Sequence, residues 1–533
     1  MSSLGLLEGG PSAGGAFEAS QIAVCLQQVR EPVHIVGELD GGPRGLALTS
    51  QVVGPGAASR PPLGTLPPLY PEWLGDRDFG QVHRVRFPYV AGEMARGIAT
   101  TRMVIAMARA EMLAVFGAAG LDVAAIERAV HELSRALGGD RPWGVNLIYS
   151  PAEPALEERT ADLLLRSQVP IISASAYMDI TPPLARCAAA GLRLDPAGAI
   201  VRPARIFAKV SRPEVAEKFM SPAPAGLLAA LVARGQLTQD EARLAAQVPV
   251  AEDVTVEADS GGHTDNQPLG AMLPAILALR DAVTARYGYR RRIRVGAAGG
   301  LGSPQAVAGA FALGAAYVLT GSVNQLAVES GVSDDARALL AQADLADVMM
   351  APAADMFEMG VQVQVLRRGT MFGPRASRLY EIYREYSSIE ELPANVRDRL
   401  ERDVLHASLD EVWAQTVSFW QLRDPAQLAR AAEDARHRMA LIFRWYLGNS
   451  SRWAVEGDTS RRTDYQLWAG PAVGAFNRWT AGSFLAEPGE RTVTQIALNL
   501  LEGAAVVTRA HQARTYGVPV PAHAFTFVPH RLR

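Results

Sequence analysis

The sequence predicts an α/β protein whose centre is a (β/α)8 barrel. Three observations carry that expectation. Short apolar, β-rich runs recur from residue 88 onward, helix-period segments lie between them, and the runs number eight over roughly 230 residues. They are Tyr89–Gly92, Met112–Phe116, Trp143–Ile148, Val169–Ser173, Ile206–Val210, Val254–Glu257, Ile293–Gly296 and Tyr317–Thr320. Intervening stretches such as DVAAIERAVHELSRAL and SPQAVAGAFALG place apolar residues at helical spacing. Asp122, Thr181, Ser211 and Ser303 are the expected N-caps. A doubly wound sheet is the competing arrangement, and the strand count favours the barrel.

Around this core the chain divides into three parts. Residues 1–85 read as a leader in which Val33–Val36 and Leu46–Thr49 form a β-hairpin about Gly41-Gly42-Pro43. The Pro- and Gly-rich stretch PGAASRPPLGTLPPLYPEW then reads as an extended connector. Residues 86–330 hold the barrel, with an insertion at about 220–250. There SPAPAGLLAALVARGQLTQDEARLAAQVPV reads as a helical hairpin, turning at Gly235 and capped again at Thr238. An insertion after a barrel strand lies at the active-site face, so this hairpin is expected to help cover a ligand. After about residue 325 the strand signal fades, and residues 331–533 are expected to be mostly helical and to pack on the barrel as a substrate-binding region. Trp413, Trp420, Trp445, Trp453, Trp468 and Trp479 lie within them.

Composition narrows the function. Of 533 residues, 49% are hydrophobic and 20% charged, which is globular, and the net charge of -3 argues against a nucleic-acid partner. Two cysteines, Cys25 and Cys187, are too few for a disulfide framework or a thiolate metal site. No apolar run approaches the ~18 residues of a transmembrane helix, and MSSLGLLEGGPSAGG lacks the basic and apolar regions of a signal peptide. A cytoplasmic protein without a membrane partner is the expectation.

In a barrel, chemistry gathers where strands end. Those ends are Ala91-Gly92-Glu93-Met94, Gly117–Gly120, Asn146, Ser173 with Ser175, Lys209, Asp259–His263, Ala297–Gly302 and Thr320–Ser322. Small and polar residues dominate them, which suits a ligand lying against backbone. GAAGGLGSP and TGS fall at the seventh and eighth strands, where barrels commonly bind phosphate on backbone amides. Either alone is as readily a tight turn; together they favour phosphate. GAAGGLG lacks the G-x-G-x-x-G spacing of a dinucleotide site. Lys209 on an inward strand position needs an anion or a carboxylate, whereas an outward one would reach solvent. Asn146 could bond a heterocycle edge or cap a turn. His263 follows two glycines that let a flat ligand approach, and histidine exchanges protons near neutrality; a plain loop histidine is the alternative. No GxSxG, HExxH or Walker A motif offers different chemistry.

VEADSGGHTDNQPL, VGAAGGLGSPQAV, GAAYVLTGSVNQ, APAADMFEMGVQVQVLRRGTMF and MALIFRWYLGNSSRW resemble the trans-acting enoyl reductases of polyketide and polyunsaturated-fatty-acid synthases, the PfaD type. These sit within a wider flavin group that includes 2-nitropropane dioxygenase (nitronate monooxygenase). The likeness runs from about Phe87 to about Thr508. It implies an FMN-binding TIM barrel with an added helical region. It also implies a reduced nicotinamide, NADPH in the first place, as hydride source, and an enoyl thioester on an acyl carrier protein as substrate. No motif separates NADPH from NADH. Gly299-Gly300 and Gly321-Ser322 match the FMN phosphate loops, and Asn146 and Lys209 match polar positions facing the flavin. His263 matches the histidine beside the ring and is the expected catalytic residue. Ala91, Gly92, Ser173, Asp259, Gly261 and Gly262 complete the expected cofactor wall. The GGH motif continues here with Thr264-Asp265 rather than glycine, which favours the synthase branch over the nitronate monooxygenases. Arg367, Arg368, Arg375 and Arg378 are the expected basic contacts for the acidic carrier protein, and a homodimer is compatible with the reading. A flavin oxidase of the nitronate type, and a non-flavin barrel acting on a sugar phosphate as isomerase or lyase, are the alternatives.

Overall fold

The structure, a computed structural model, describes residues 15–37, 42–52, 62–138 and 141–533. Eight parallel strands close a barrel: β1 (Tyr89–Ala91), β2 (Leu113–Phe116), β3 (Gly144–Ile148), β4 (Ile171–Ser175), β5 (Arg205–Val210), β6 (Asp253–Glu257), β7 (Arg294–Ala298) and β8 (Val318–Thr320). Each pairs with its sequence neighbour, and β8 pairs with β1 through Thr320 and Ala91. Nearly every strand residue is buried, because helices cover the outside while side chains fill the inside. Asp122, Thr181 and Ser303 cap their helices as expected. Ser211 does not. Arg212 takes the N-cap position of Pro213–Met220, and the Ser211 hydroxyl donates to Asp265 at 2.6 Å.

One end of the barrel is plugged. Phe79 and His83, from the helix Arg77–His83, pack against Phe207 and Tyr317, with Phe79 stacked on Tyr317 at 4.5 Å. Beneath them the fully buried Asp253 accepts from Arg294 at 2.6 and 2.8 Å and faces His83 Nε2 at 3.1 Å. Burial alone would raise the Asp253 carboxyl, but His83 and Arg294 hold it well below the usual range. Chemistry is thereby left to the opposite end, where the strands terminate.

The hairpin after the barrel's fifth helix forms as expected, from Ala225–Ala233 and Gln239–Ala245, with Gly235 at a φ of 68° and a Thr238–Glu241 capping box. Its placement differs from expectation. It follows a helix rather than a strand, packs on Pro182–Ala189, and contributes no residue to the cavity described below.

Val33–Val36 and Gly45–Leu48 pair antiparallel as the expected hairpin. Gly41 lies outside the described residues. The connector supplies a third strand, Pro62–Leu66, on the other edge of Val33–Val36. This sheet shares a core with the helix Val493–Thr515: Ala16, Ile22 and Leu46 meet Ala510 and Ala513. The buried Arg509 fastens the two by donating to the carbonyls of Gln28 and Glu31. After residue 331 the chain is mostly helical, as expected, and it also holds two strands that the sequence reading did not single out, Val348–Pro352 and Gln362–Leu366. The alternation in Gln362-Val363-Gln364-Val365 is a strand signal. Its partner, Gly262–His263, is too short to be legible alone. Among the described residues no single helix is long and apolar enough to cross a membrane.

Candidate active site

Short loops after the strands and the segments beyond residue 331 enclose a cavity of about 300 Å³ at the open end of the barrel. That lies at the lower end of the range for ligand sites. Asn146, Lys209, Gly261, Gly262, His263, Gly299, Gly300, Gly321 and Ser322 all line it. Ala91, Gly92, Ser173 and Asp259 do not. The first three are buried behind the wall, and Asp259 accepts from Gln364 at 2.9 Å. Ser173 still acts on the site indirectly: its hydroxyl donates to Glu93 at 3.0 Å, and its carbonyl accepts from Asn146 Nδ2 at 3.1 Å.

Lys209 points inward. Its Nζ lies 2.9 Å from Glu257 and 3.5 Å from Glu93, and all three side chains are at most 15% exposed. Burial would depress the ammonium, but the two carboxylates more than offset it and hold it above its usual range. The inward lysine is thus neutralised by protein, not by a ligand alone.

His263 owes its position to three contacts. As part of the short strand it pairs with Val363, and its Nε2 lies 3.2 Å from Asp355 Oδ1. Gly261 rests on the backbone of Ala469 so closely that a Cβ would sit 2.8 Å from its Cα, while Gly262 adopts a φ of 84°. The paired glycines therefore let the chain pass beneath residue 469 and turn the imidazole toward the cavity. Thr264 donates to the Ala258 carbonyl, and Asp265 accepts from Nε and Nη2 of Arg212 at 2.9 and 2.8 Å, so the loop is clamped at each side. Burial would lower the imidazole pKa; the Asp355 charge and hydrogen bond outweigh it and raise the value. With Nε2 on Asp355, Nδ1 has no partner among the described residues.

The two glycine turns meet at the cavity. A Cβ on Gly300 would touch nothing within 4 Å, and one on Gly321 would only graze Met94 at 4.0 Å. Neither N–H finds an acceptor among the described residues. Ser260 Oγ, Gln325 Oε1 and Glu93 Oε2, also on the cavity wall, are buried without partners among the described residues. Open amides, unfilled space and orphaned polar atoms fit a phosphate-bearing, polar-edged cofactor such as FMN.

Several lining residues come from elements the sequence did not connect to the barrel. Arg423, Arg444, Gly448, Gln466, Trp468 and Ala472 form a roof from the C-terminal part, and Asp355 enters from the loop between the strands Val348–Pro352 and Gln362–Leu366. None of Arg367, Arg368, Arg375 and Arg378 reaches the cavity. Arg375 is tied to the buried Asp464, Arg378 pairs with Glu381 in its own helix, and Arg368 pairs with Asp347.

Residues 386–465 match a family described as the inserted helical domain of [acyl-carrier-protein] S-malonyltransferase. Over 445 residues the chain is 42% identical to the polyketide biosynthesis protein PksE of Bacillus subtilis; the match takes in 84% of this chain and 58% of that protein. Over 443 residues it is 45% identical to the polyketide biosynthesis protein ThaF of Burkholderia thailandensis, covering 83% of this chain and 38% of that one. A polyunsaturated fatty acid synthase component of Thraustochytrium sp. is likewise 45% identical over 449 residues, which are 83% of this chain and 30% of that protein. The chain thus spans under two thirds of the length of each of these relatives. Among solved structures, the enoyl reductase domain of MlnA, from the macrolactin biosynthesis cluster of Bacillus amyloliquefaciens, superimposes with a TM-score of 0.79 at 35% identity. That likeness covers 83% of this chain and 99% of that domain, and the chain belongs to the family of the MlnA enoyl reductase domain.

Proposed function

We propose that the chain is an FMN-dependent enoyl reductase of the PfaD type, acting in trans during polyketide or polyunsaturated fatty acid assembly. Its substrate in this reading is an enoyl thioester on an acyl carrier protein, reduced at the α,β-double bond with NADPH as hydride source, in the cytoplasm. One observation carries the proposal: the open amides of Gly300 and Gly321 and the unpartnered Nδ1 of His263 face the same cavity. Bound FMN would supply the hydride chemistry. Gly299, Gly300, Gly321 and Ser322 would hold its phosphate, and Lys209 and Asn146 would face the polar edge of its ring. Hydride addition at the β-carbon leaves an enolate, which needs a donor at oxygen and a proton at the α-carbon. His263, whose affinity for a proton Asp355 raises, would supply one of them at Nδ1.

Visible absorbance under anaerobic conditions tests this directly. The yellow protein should bleach with NADPH and regain its colour on addition of a crotonyl thioester. Colour that returns only with air would establish the oxidase alternative instead. Gly321→Leu, at an ordinary φ of -124° and facing open space, should fold normally by circular dichroism but retain no flavin. A wild-type protein that takes up no FMN would refute the proposal.

A further inference from the structure

Nine acidic or basic side chains line the cavity, and seven of them are accounted for. Lys209 is balanced by Glu93 and Glu257, His263 by Asp355, and Arg423 by both oxygens of Glu153. Arg96 and Arg444 remain. Among the described residues neither has a carboxylate within ion-pair distance. The nearby acids are already engaged: Glu358, the largest electrostatic neighbour of Arg444, sits on His437 at 2.6 Å, and Asp355 and Glu153 have the partners just named. Both are half-buried, and a guanidinium keeps its charge, so an unbalanced pair is costly until an anion arrives.

Both arginines are held in place. Arg96, in the loop after β1, has a φ of 58°, uncommon for a residue with a side chain, and its N–H donates to the Ala119 carbonyl at 2.7 Å. Its guanidinium donates through Nη2 to the Gly448 carbonyl at 2.9 Å, and its other nitrogens have no hydrogen-bond partner among the described residues. Arg444 lies one turn before Gly448 on the helix Ala435–Glu456, its guanidinium 5.4 Å over the Trp420 ring, and makes no hydrogen bond to protein among the described residues. One arginine thus belongs to the barrel and the other to the roof, and both reach the cavity beside the same helical turn. Burial lowers both; neighbouring Arg452 and Arg423 add to the effect on Arg96, bringing it to about 10.

We propose that Arg96 and Arg444 form a second anion site, which binds the phosphate ester of an incoming reactant. This rests on the reductase reading, in which both reactants carry such a group: the phosphodiester of a phosphopantetheine arm, or the phosphates of NADPH. Arg96 does not belong to the glycine turns of β7 and β8: it leaves β1 on the side of β2, where its side chain lies against Gly120. A planar guanidinium matches phosphate through paired hydrogen bonds, which lysine cannot reproduce.

Calorimetric titration of the FMN-loaded protein tests the site without turnover. The probes are phosphopantetheine, its unphosphorylated counterpart pantetheine, and adenosine 2′,5′-bisphosphate. Arg444→Gln should weaken one phosphorylated probe at least tenfold more than pantetheine, and Arg444→Lys should recover only part of the loss. Loss confined to phosphopantetheine assigns the site to the carrier arm; loss confined to the bisphosphate assigns it to the nucleotide. In steady state the matching ratio should move too, as KM for crotonyl-phosphopantetheine over crotonyl-pantetheine, or for NADPH over NADH. Equal effects on phosphorylated and unphosphorylated probes, or none, would overturn the proposal. Wild-type protein that binds phosphopantetheine yet reduces no crotonyl thioester would refute the reductase reading and leave the anion site standing.

Discussion

Replacing Gly261 by alanine puts the placement of His263 to a direct test. The new methyl carbon would sit 2.8 Å from both Cα and N of Ala469 and 2.9 Å from its carbonyl carbon. Carbon atoms in contact rest at about 3.5–4.0 Å, so the two backbone segments must part by roughly 0.7–1.2 Å. Overpacking of this kind costs about 1–3 kcal/mol. Unfolding entropy of about 2.1 cal/mol/K per residue gives about 1.1 kcal/mol/K for 533 residues, so Tm should fall by about 1–3 °C. The larger effect is on chemistry. His263 and Asp355 stand 3.2 Å apart, already at the outer edge of a hydrogen bond, and a further shift of that size separates them. A catalytic group displaced by about 1 Å loses up to ~100-fold in rate. The assay is anaerobic stopped-flow reoxidation of the reduced flavin by a crotonyl thioester, with a thermal melt of the same sample. Gly262→Ala is the control for strain: it meets no atom within 4 Å but must hold a φ of 84°, so it should lose similar stability and less rate. Wild-type reoxidation and an unchanged Tm in Gly261→Ala would refute the argument that this contact sets the imidazole.

Three further outcomes follow from the charges. Asp253→Asn removes the carboxylate from a fully buried Arg294 and should cost about 3–5 kcal/mol in chemical denaturation, with substrate KM unchanged because the cluster seals the far end of the barrel. The Asp253 contribution is present above about pH 3.8 and is lost as pH falls through its depressed folded value, so the gap between variant and wild type should close only in acid. Lys209→Met leaves Glu93 and Glu257 facing the cavity without a counter-charge and should cost about 3–5 kcal/mol together with flavin retention; a variant that stays yellow and equally stable would count against the inward lysine. Asp355→Asn should lower the pH at which His263 loses its proton, followed by its ring-proton resonance. In the wild type the stabilising contribution of that raised histidine is complete below about pH 6.5 and disappears as pH rises through the folded value; identical titrations would remove Asp355 from its role.

The eight strands and most helix starts were legible in sequence because they depend on local rules. A parallel strand buried on both faces is a continuous apolar run, and an N-cap side chain bonds an amide three residues on. Ser211 misled because its hydroxyl found Asp265, a partner 54 residues away, in preference to its own helix. The glycine turns and His263 stood out because strand ends mark the working face of a barrel. That Lys209 faces inward was decided by tertiary structure: its neutralising carboxylates sit at the ends of two other strands, with no fixed spacing between them. Asp355 reaches His263 only because the strand Gln362–Leu366 pairs with two residues that carry no strand signal of their own. Arg96 and Arg444 are 348 positions apart, and on the chain each reads as an ordinary surface cation. The barrel, its open end and the residues with chemical potential can be read from the order of residues along the chain. Packing of the C-terminal helices over that end decided which of them share a cavity, because a side chain's charge balance is set by what is near in space, not by what is near along the chain.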